Sequence, residues 1–308
     1  MRYLILGLGF LSTHVAEYLS KYGEVTVTYR SLERVKEVYY RLLKEKGVNF
    51  VKLDPLSDVD LLKRIIESND VIINAIGKFG NVDVETAHVE IPKKIAESIQ
   101  KQVLIHVSSA AATGLTGEVK EEEEHCKKVS PLTPYEISKC EGEKAVMRIA
   151  KEKGFPLAII RPTFIYGKYG AHVHFVLMYW LSKFGIVPSM GISVSTISAN
   201  RIAELMRVLA EAKPRGVYMY ANECELVNLD RFFVIMAETL GRKKVVKLPI
   251  NKNILPPDFK CTLKYSGTKY DCSRITEYIG KVSFDEKEVS QNALFMDELR
   301  KNGLLLAT

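Results

Sequence analysis

Cysteine is scarce in this chain, with five in 308 residues, an odd number. Cys126, Cys140, Cys224, Cys261 and Cys272 form no C-x-x-C pair. Neither a disulfide scaffold nor a zinc site is therefore expected, and no metal ligand set is assigned. Free thiols in a reducing cytoplasm are the reading that follows. Long apolar runs are missing as well. The strongest candidate, Phe175–Leu181, covers seven residues, against roughly 20 needed to span a bilayer. Leu4–Leu6 is too short for a secretory signal and reads as a buried strand. No membrane partner is expected. Nor is there a large excess of one charge, with 44 basic against 37 acidic residues and a net charge of +7. The lysines are scattered over helical faces without interleaved aromatics, so no nucleic-acid partner is expected.

What is present is ordinary for a folded protein: 47% apolar and 26% charged residues. The first half alternates two kinds of segment. Tyr3–Leu6, Glu24–Tyr29, Val48–Leu53, Val71–Ala75 and Val103–Ser108 read as strands. Leu11–Ser20, Leu32–Lys46, Asp58–Ser68 and Ile91–Lys101 read as helices between them. Such alternation predicts βαβ units and a parallel sheet. An irregular stretch from Ala110 to Pro134 follows, and its acidic run Glu121–Glu124 reads as a solvated loop. A long helix from Tyr135 to Lys153 and a strand at Leu157–Ile160 come next. Beyond Pro162 the alternation loses its regularity. Helices are expected at Arg201–Ala210, Leu229–Leu240 and Asp285–Lys301, strands at Gly216–Tyr220 and Val245–Leu248, and a break at Pro256-Pro257. The fold class expected is α/β, a Rossmann-like doubly wound parallel sheet with a small C-terminal α/β substrate domain. Residues 1–162 would form the dinucleotide-binding domain, with part of 195–215 returning to it, and 163–308 mainly the substrate domain.

Gly7-Leu8-Gly9-Phe10-Leu11-Ser12 sits between the first strand and the first helix. This is G-x-G-x-x-S, one residue from the dinucleotide fingerprint. Gly7 permits the tight turn, Gly9 lets the backbone approach a pyrophosphate, and Ser12 is small enough for helix–strand packing. The helix N-terminus adds free N–H groups and partial positive charge. The fingerprint calls for an acid about 20 residues on, to hold the ribose of NAD. Here the second strand ends Thr28-Tyr29-Arg30-Ser31. An arginine fork at Arg30 suits a 2′-phosphate, so NADP is favoured, with NAD the alternative. The plainer reading of Arg30 is a solvated strand-end charge.

Tyr135-Glu136-Ile137-Ser138-Lys139 is Y-x-x-x-K, which puts phenol and ammonium on one helix face. The lysine is expected to lower the phenol's pKa and make Tyr135 a proton donor or acceptor near neutrality. A solvated Tyr–Lys pair is the alternative. Val107-Ser108-Ser109 ends a buried strand, where α/β sheets place their ligands, and its hydroxyls can hold a substrate oxygen.

With these residues in view, the chain resembles the extended or atypical short-chain dehydrogenases/reductases, and is similar to NAD-dependent epimerase/dehydratase proteins. The matching segments are Gly7–Ser12, Leu53-Asp54, Val71–Gly77, Val107–Ser109, Tyr135–Lys139 with Glu141-Gly142-Glu143 after it, and Arg161-Pro162 through Gly167. The resemblance implies roles. Tyr135 would be the general acid/base, Lys139 would bind the nicotinamide ribose and tune Tyr135, and Ser109, ahead of Ser108, would hold the reacting oxygen. Gly7, Gly9, Phe10, Leu11 and Ser12 would hold the pyrophosphate, and Arg30 and Ser31 the adenosine ribose. Leu53 and Asp54 would flank the adenine, Ala75 and Gly77 would line the cofactor, and Pro162 would lie against the nicotinamide. Asp54 near a helix start and Pro162 as a strand terminator are the structural alternatives.

Two departures narrow the expectation. Nucleotide-sugar members of that family carry an amide soon after the Arg-Pro strand, where this chain has Thr163-Phe164-Ile165. They also carry an arginine and an acid around a later strand, where it has Val194–Asn200. A buried diphosphate needs charged or amide partners. The chain is closer to reductase-like atypical members and to relatives of the 39-kDa-type complex I subunit. His172 and His174, with Phe175 and Trp180 near them, are either pocket-lining or packed. The activity expected is NAD(P)-dependent hydride transfer at a C–OH/C=O group of a small-molecule substrate. A nucleotide-sugar epimerase or dehydratase, or a silent cofactor-binding subunit, is the alternative. A homodimer is the oligomer expected.

Overall fold

The computed structural model describes residues 1–78, 80, 82–120, 133–251 and 263–305. The acidic run Glu121–Glu124, Cys126, Pro256-Pro257 and Cys261 lie outside the described residues.

The framework is a seven-stranded sheet. Its strands are β1 (Arg2–Leu6), β2 (Glu24–Tyr29), β3 (Asn49–Lys52), β4 (Val71–Asn74), β5 (Val103–Val107), β7 (Leu157–Pro162) and β11 (Arg215–Ala221); the short β6 (Glu118–Val119) stands apart. The spatial order is β11-β7-β5-β4-β1-β2-β3, and every neighbouring pair is parallel. A parallel sheet covered on both faces needs apolar residues at successive positions, and β4 and β5 are buried throughout. Side chains alternate along a strand, so β1 feeds two cores. Tyr3 and Ile5 join one, beneath α1 (Phe10–Leu19) and α2 (Val35–Lys44). Leu4 and Leu6 join the other, beneath α3 (Val59–Glu67), α4 (Ile91–Ser98) and α5 (Pro134–Lys153). Winding reverses between β1 and β4. The crevice at such a switch point, outside the carboxyl ends of the strands, is where open α/β sheets hold ligands.

The second half builds a smaller unit on that edge. Its three-stranded sheet is β12-β10-β8, from β8 (Phe164–Tyr166), β10 (Ser193–Ser198) and β12 (Leu226–Asn228). A two-stranded pair joins β9 (Ile186–Ser189) to β13 (Val246–Pro249). Helices α6 (Val173–Lys183) and α8 (Asp230–Thr239) pack together, with Glu286–Lys301 against them. Two elements from this half complete the first: α7 (Ala199–Ala212) lies along α1, and β11 pairs with β7 from Arg215 to Ala221. The strand β14 (Lys269–Tyr270) pairs with β6, tying the C-terminal half to the loop before α5. Among the described residues no helix is long and apolar enough to cross a membrane.

The free-thiol expectation is corrected for two cysteines. Cys224 and Cys272 form a disulfide across 48 residues, with Cα atoms 5.5 Å apart. Sequence spacing carries no sign of this pairing. Tertiary contacts bring the two together, among them the Asn222 Nδ2 donation to the Tyr270 carbonyl at 3.0 Å. Cys140 is buried.

Candidate active site

The turn from β1 into α1 is set by contacts at both ends. Gly7 has φ of +96°, and a Cβ there would stand 2.9 Å from Ile76 Cγ1. Only glycine meets both conditions. Its amide donates to Thr28 Oγ1 at 3.0 Å, which ties the β1 and β2 ends together. Ser12 does more than fit. Its hydroxyl accepts from the Gly9 amide at 2.7 Å and donates to the Gly9 carbonyl at 3.1 Å, closing the turn on itself. Phe10 turns its ring into the core, where it meets His14, His172 and Phe175. First-turn amides of a helix have no intrahelical acceptor, which suits an anion.

At the far side of the crevice, the Leu53 amide donates to the Tyr29 carbonyl at 2.9 Å. That bond brings Leu53 and Asp54 beside Arg30 and Ser31. Arg30 is exposed, one residue past β2, and among the described residues no hydrogen bond or ion pair engages it. Leu53 is buried. Asp54 is part of a local turn: its Oδ1 accepts from the Leu56 amide at 3.0 Å, and its own amide donates to Asp58 Oδ2 at 2.8 Å.

The third group gathers where β4, β5 and α5 meet. The Ala75 amide donates to the Leu6 carbonyl at 3.1 Å, carrying the chain past Gly7 to Gly77. A Cβ at Gly77 would stand 3.7 Å from Lys139 Nζ. Lys139 is buried, and its ammonium donates to the Val107 carbonyl at 3.3 Å. Burial pushes its pKa down to about 8, and Glu143 one turn on opposes that fall. Ser109 caps the short 3-10 turn Ala110–Thr113 by accepting from the Ala111 amide at 3.2 Å. The Ser109 hydroxyl is near enough to the Tyr135 phenol to lower its pKa. Ser108 is buried with an unpartnered hydroxyl among the described residues. Pro162 ends β7, buried and paired with Ala221.

One electrostatic expectation is corrected. The Tyr135 phenol is raised above its ordinary pKa, because burial outweighs the lowering by the Ser109 hydroxyl. Lys139 does not reverse this, since its ammonium is turned to Val107 and Glu143. The phenol is therefore the protonated form at neutral pH in the protein alone.

Three residues to which the sequence motifs assign no role support this group. The first is His88, on a turn of π-helix at Thr86–Glu90. Its Nε2 accepts from the Lys78 amide at 3.1 Å. The proton therefore sits on Nδ1, 2.9 Å from Ser138 Oγ, whose hydroxyl donates to the Tyr135 carbonyl at 3.0 Å. The imidazole meets the Tyr135 ring edge-on, 5.3 Å between centroids. The second is Gly142, where a Cβ would lie 1.9 Å from the His88 carbonyl oxygen. The π-turn thus presses its backbone directly on α5. The third is Glu136, beside Tyr135. It closes a capping box with Thr133, accepting from that amide at 2.9 Å. It also pairs with Lys264 Nζ at 2.8 Å and bonds the Tyr265 hydroxyl.

His172 is exposed and precedes α6, whereas His174 packs against Phe164 and Phe175 with centroids 5.5 and 4.3 Å apart.

Comparison with known proteins agrees with this architecture. The structure superimposes on UDP-glucuronic acid 4-epimerase from Bacillus cereus in complex with NAD, at a TM-score of 0.76 and 19% identity, over 97% of this chain and 99% of that one. For dTDP-glucose 4,6-dehydratase from Bacillus anthracis, in complex with NAD, the TM-score is 0.77 at 14% identity, over 99% of both chains. At such identities the likeness speaks for the fold alone. Mouse NADH dehydrogenase [ubiquinone] 1 alpha subcomplex subunit 9, mitochondrial, is 29% identical over 199 residues, 61% of this chain and 46% of that protein. The match thus spans about half the length of that relative. The family model for the NAD dependent epimerase/dehydratase family matches residues 3–185. The chain belongs to the NAD-dependent epimerase/dehydratase family.

Proposed function

We propose that this chain is an NAD(P)-dependent oxidoreductase of the short-chain dehydrogenase/reductase type, acting on a C–OH/C=O group of a small molecule, with NADP favoured. The observation that carries the reading is buried Lys139, bonded to the Val107 carbonyl at the carboxyl edge of the sheet and sharing a helix face with Tyr135, with Ser109 near the phenol. The residues present fit a dinucleotide. Gly7, Gly9 and the first-turn amides of Phe10, Leu11 and Ser12 would hold the pyrophosphate. Arg30 and Ser31 would hold the phosphorylated ribose, Leu53 and Asp54 the adenine side. Ala75, Gly77, Lys139 and Pro162 would hold the nicotinamide half. The cofactor would supply or accept the hydride. The chain's own part is the proton: Ser109 would hold the substrate oxygen, and Tyr135 would give it a proton in reduction and take one in oxidation. Burial keeps the phenol protonated, which suits the reductive direction.

Two further readings have support. Similarity to the mouse NADH dehydrogenase subunit favours a cofactor-binding subunit without turnover. The fold shared with sugar-nucleotide epimerases and dehydratases favours that chemistry, against which stands Thr163-Phe164 where an amide would be needed. The test is a screen of NADPH oxidation against carbonyl compounds and nucleotide sugars. Turnover by the wild type, cut by roughly 10²–10⁴-fold in Tyr135→Phe with cofactor affinity retained, is the expected result. Titration calorimetry of Arg30→Ala should show a selective loss for NADP(H). Equal NAD and NADP affinities in the wild type would refute the cofactor preference, and full activity in Tyr135→Phe the proton assignment.

A further inference from the structure

Helix α6 is amphipathic in the wrong sense for a water-facing helix. Its exposed positions are Val173, Leu177 and Trp180, at 54, 45 and 37% exposure, followed by Phe184 at 67%. The spacing of four, three and four residues puts all of them on one face. The opposite face, with Phe175, Met178 and Tyr179, is buried. Helix α2 shows the ordinary arrangement, exposing Lys36, Glu37, Arg41 and Lys44. In α6 no exposed position carries a charge. The Trp180 and Phe184 rings stack, with centroids 6.1 Å apart.

A basic segment is bonded to the end of this stripe. Arg242 Nε donates to the Lys183 carbonyl at 2.6 Å, and the Val246 amide to the Gly185 carbonyl at 2.8 Å. These bonds fix Arg242, Lys243, Lys244 and Lys247 beside Phe184, with no acid between residues 242 and 247. Val246 and Leu248 alternate with Lys247 and are 60 and 45% exposed.

We propose that the face formed by α6 and residues 242–248 is a docking surface for an anionic lipid bilayer. The occupant must offer hydrocarbon and negative charge in one plane, because the apolar stripe and the cations are held together by backbone hydrogen bonds. A bilayer bearing acidic headgroups offers both. Trp180 and Phe184 would sit at the headgroup boundary, and the lysines would reach the headgroups. The contact is peripheral and asks no segment to cross.

Trp180 is the only tryptophan in the chain, so its fluorescence reports on this face without labelling. The 308-residue chain is mixed with phosphatidylcholine vesicles, or with vesicles that also contain phosphatidylglycerol, and assayed by flotation and emission. Expected are co-flotation and a blue shift with the anionic vesicles only, both weakened by salt. Leu177→Ser/Phe184→Ser and Lys243→Glu/Lys244→Glu variants, checked for an unchanged circular dichroism spectrum, should each lower the partition coefficient by about tenfold or more. No binding, binding unaffected by either variant, or a self-association abolished by Leu177→Ser/Phe184→Ser in the absence of lipid binding would overturn the proposal.

Discussion

Glu143 and Arg161 form a bidentate ion pair sealed from solvent. Arg161 Nε donates to Oε1 at 3.0 Å and the terminal nitrogen to Oε2 at 2.8 Å, with side-chain exposures of 1 and 0%. The guanidinium also lies over the Tyr218 ring, 4.4 Å from its centroid. The pair locks α5 to the end of β7, the two elements that carry Tyr135–Lys139 and Pro162. Removing one partner strands a buried charge, which costs about 3–5 kcal/mol. Glu143→Ala should lose that much in urea unfolding, whereas replacing both partners with methionine should cost far less. A loss in Glu143→Ala of under about 1 kcal/mol, the range of an exposed pair, would contradict this account.

Lys139 should make the protein more stable in mild alkali. Its folded pKa of about 8 lies below the ordinary 10.5. Between those values the unfolded chain binds a proton that the folded chain does not, so stability rises with pH across that window. Below pH 8 the full penalty is present, on the order of 3 kcal/mol. Lys139→Met, measured against wild type in chemical unfolding, should be the more stable near neutrality, and the difference should close towards pH 10. A difference that does not change with pH would refute the depressed pKa.

His88 should act on Tyr135 through position. The ring is buried and held neutral, with its pKa pushed down to about 3 by burial and then by Lys139. An unfolded histidine protonates near 6.5 and the folded one does not, so its contribution is present above pH 6.5 and is lost as pH falls towards 3. His88→Ala removes bonds to Lys78 and Ser138 and should cost about 1–3 kcal/mol. It should also lower kcat while leaving the acid limb of the stability profile shallower than in wild type. Unchanged turnover would reduce His88 to a packing role.

Reduction of Cys224–Cys272 should destabilise the protein by about 4 kcal/mol, the closure entropy of a loop of this length. Thermal unfolding with and without dithiothreitol measures it, and Cys224→Ser/Cys272→Ser should match the reduced wild type. No shift in Tm on reduction would mean that the bond does not contribute.

The first half was legible because its central strands β4 and β5 are buried on both faces and read as apolar runs, and because Gly7, Gly9 and the Tyr135–Lys139 spacing are local signals. The second half was legible in part: the helices expected at Arg201–Ala210, Leu229–Leu240 and Asp285–Lys301 and the strands at Gly216–Tyr220 and Val245–Leu248 are present, and its shortest strands are the elements that local pattern does not give. Strands of three residues such as Phe164–Tyr166 and Leu226–Asn228 are held by their pairing to β10, which no local pattern encodes. Helix α6 escaped notice because its outer face is apolar, so Phe175–Leu181 read only as a hydrophobic run. The Tyr135 pKa was misread for a related reason. Spacing told that Lys139 shares its face, but burial depends on tertiary packing, such as the His88 ring set edge-on against the phenol. His88 and Gly142 are 54 residues apart, and their contact exists only once α5 is docked.

The bonds to Glu136 have a mechanical consequence. Lys264 and Tyr265 come from the segment that continues into β14, and they grip the residue next to Tyr135. The smaller unit therefore has a direct handle on the first turn of α5. Any hinge motion that opens the crevice to admit a substrate must either break these bonds or tilt the phenol along with it. On the proposed reading, access and proton transfer would be geared together through a single carboxylate.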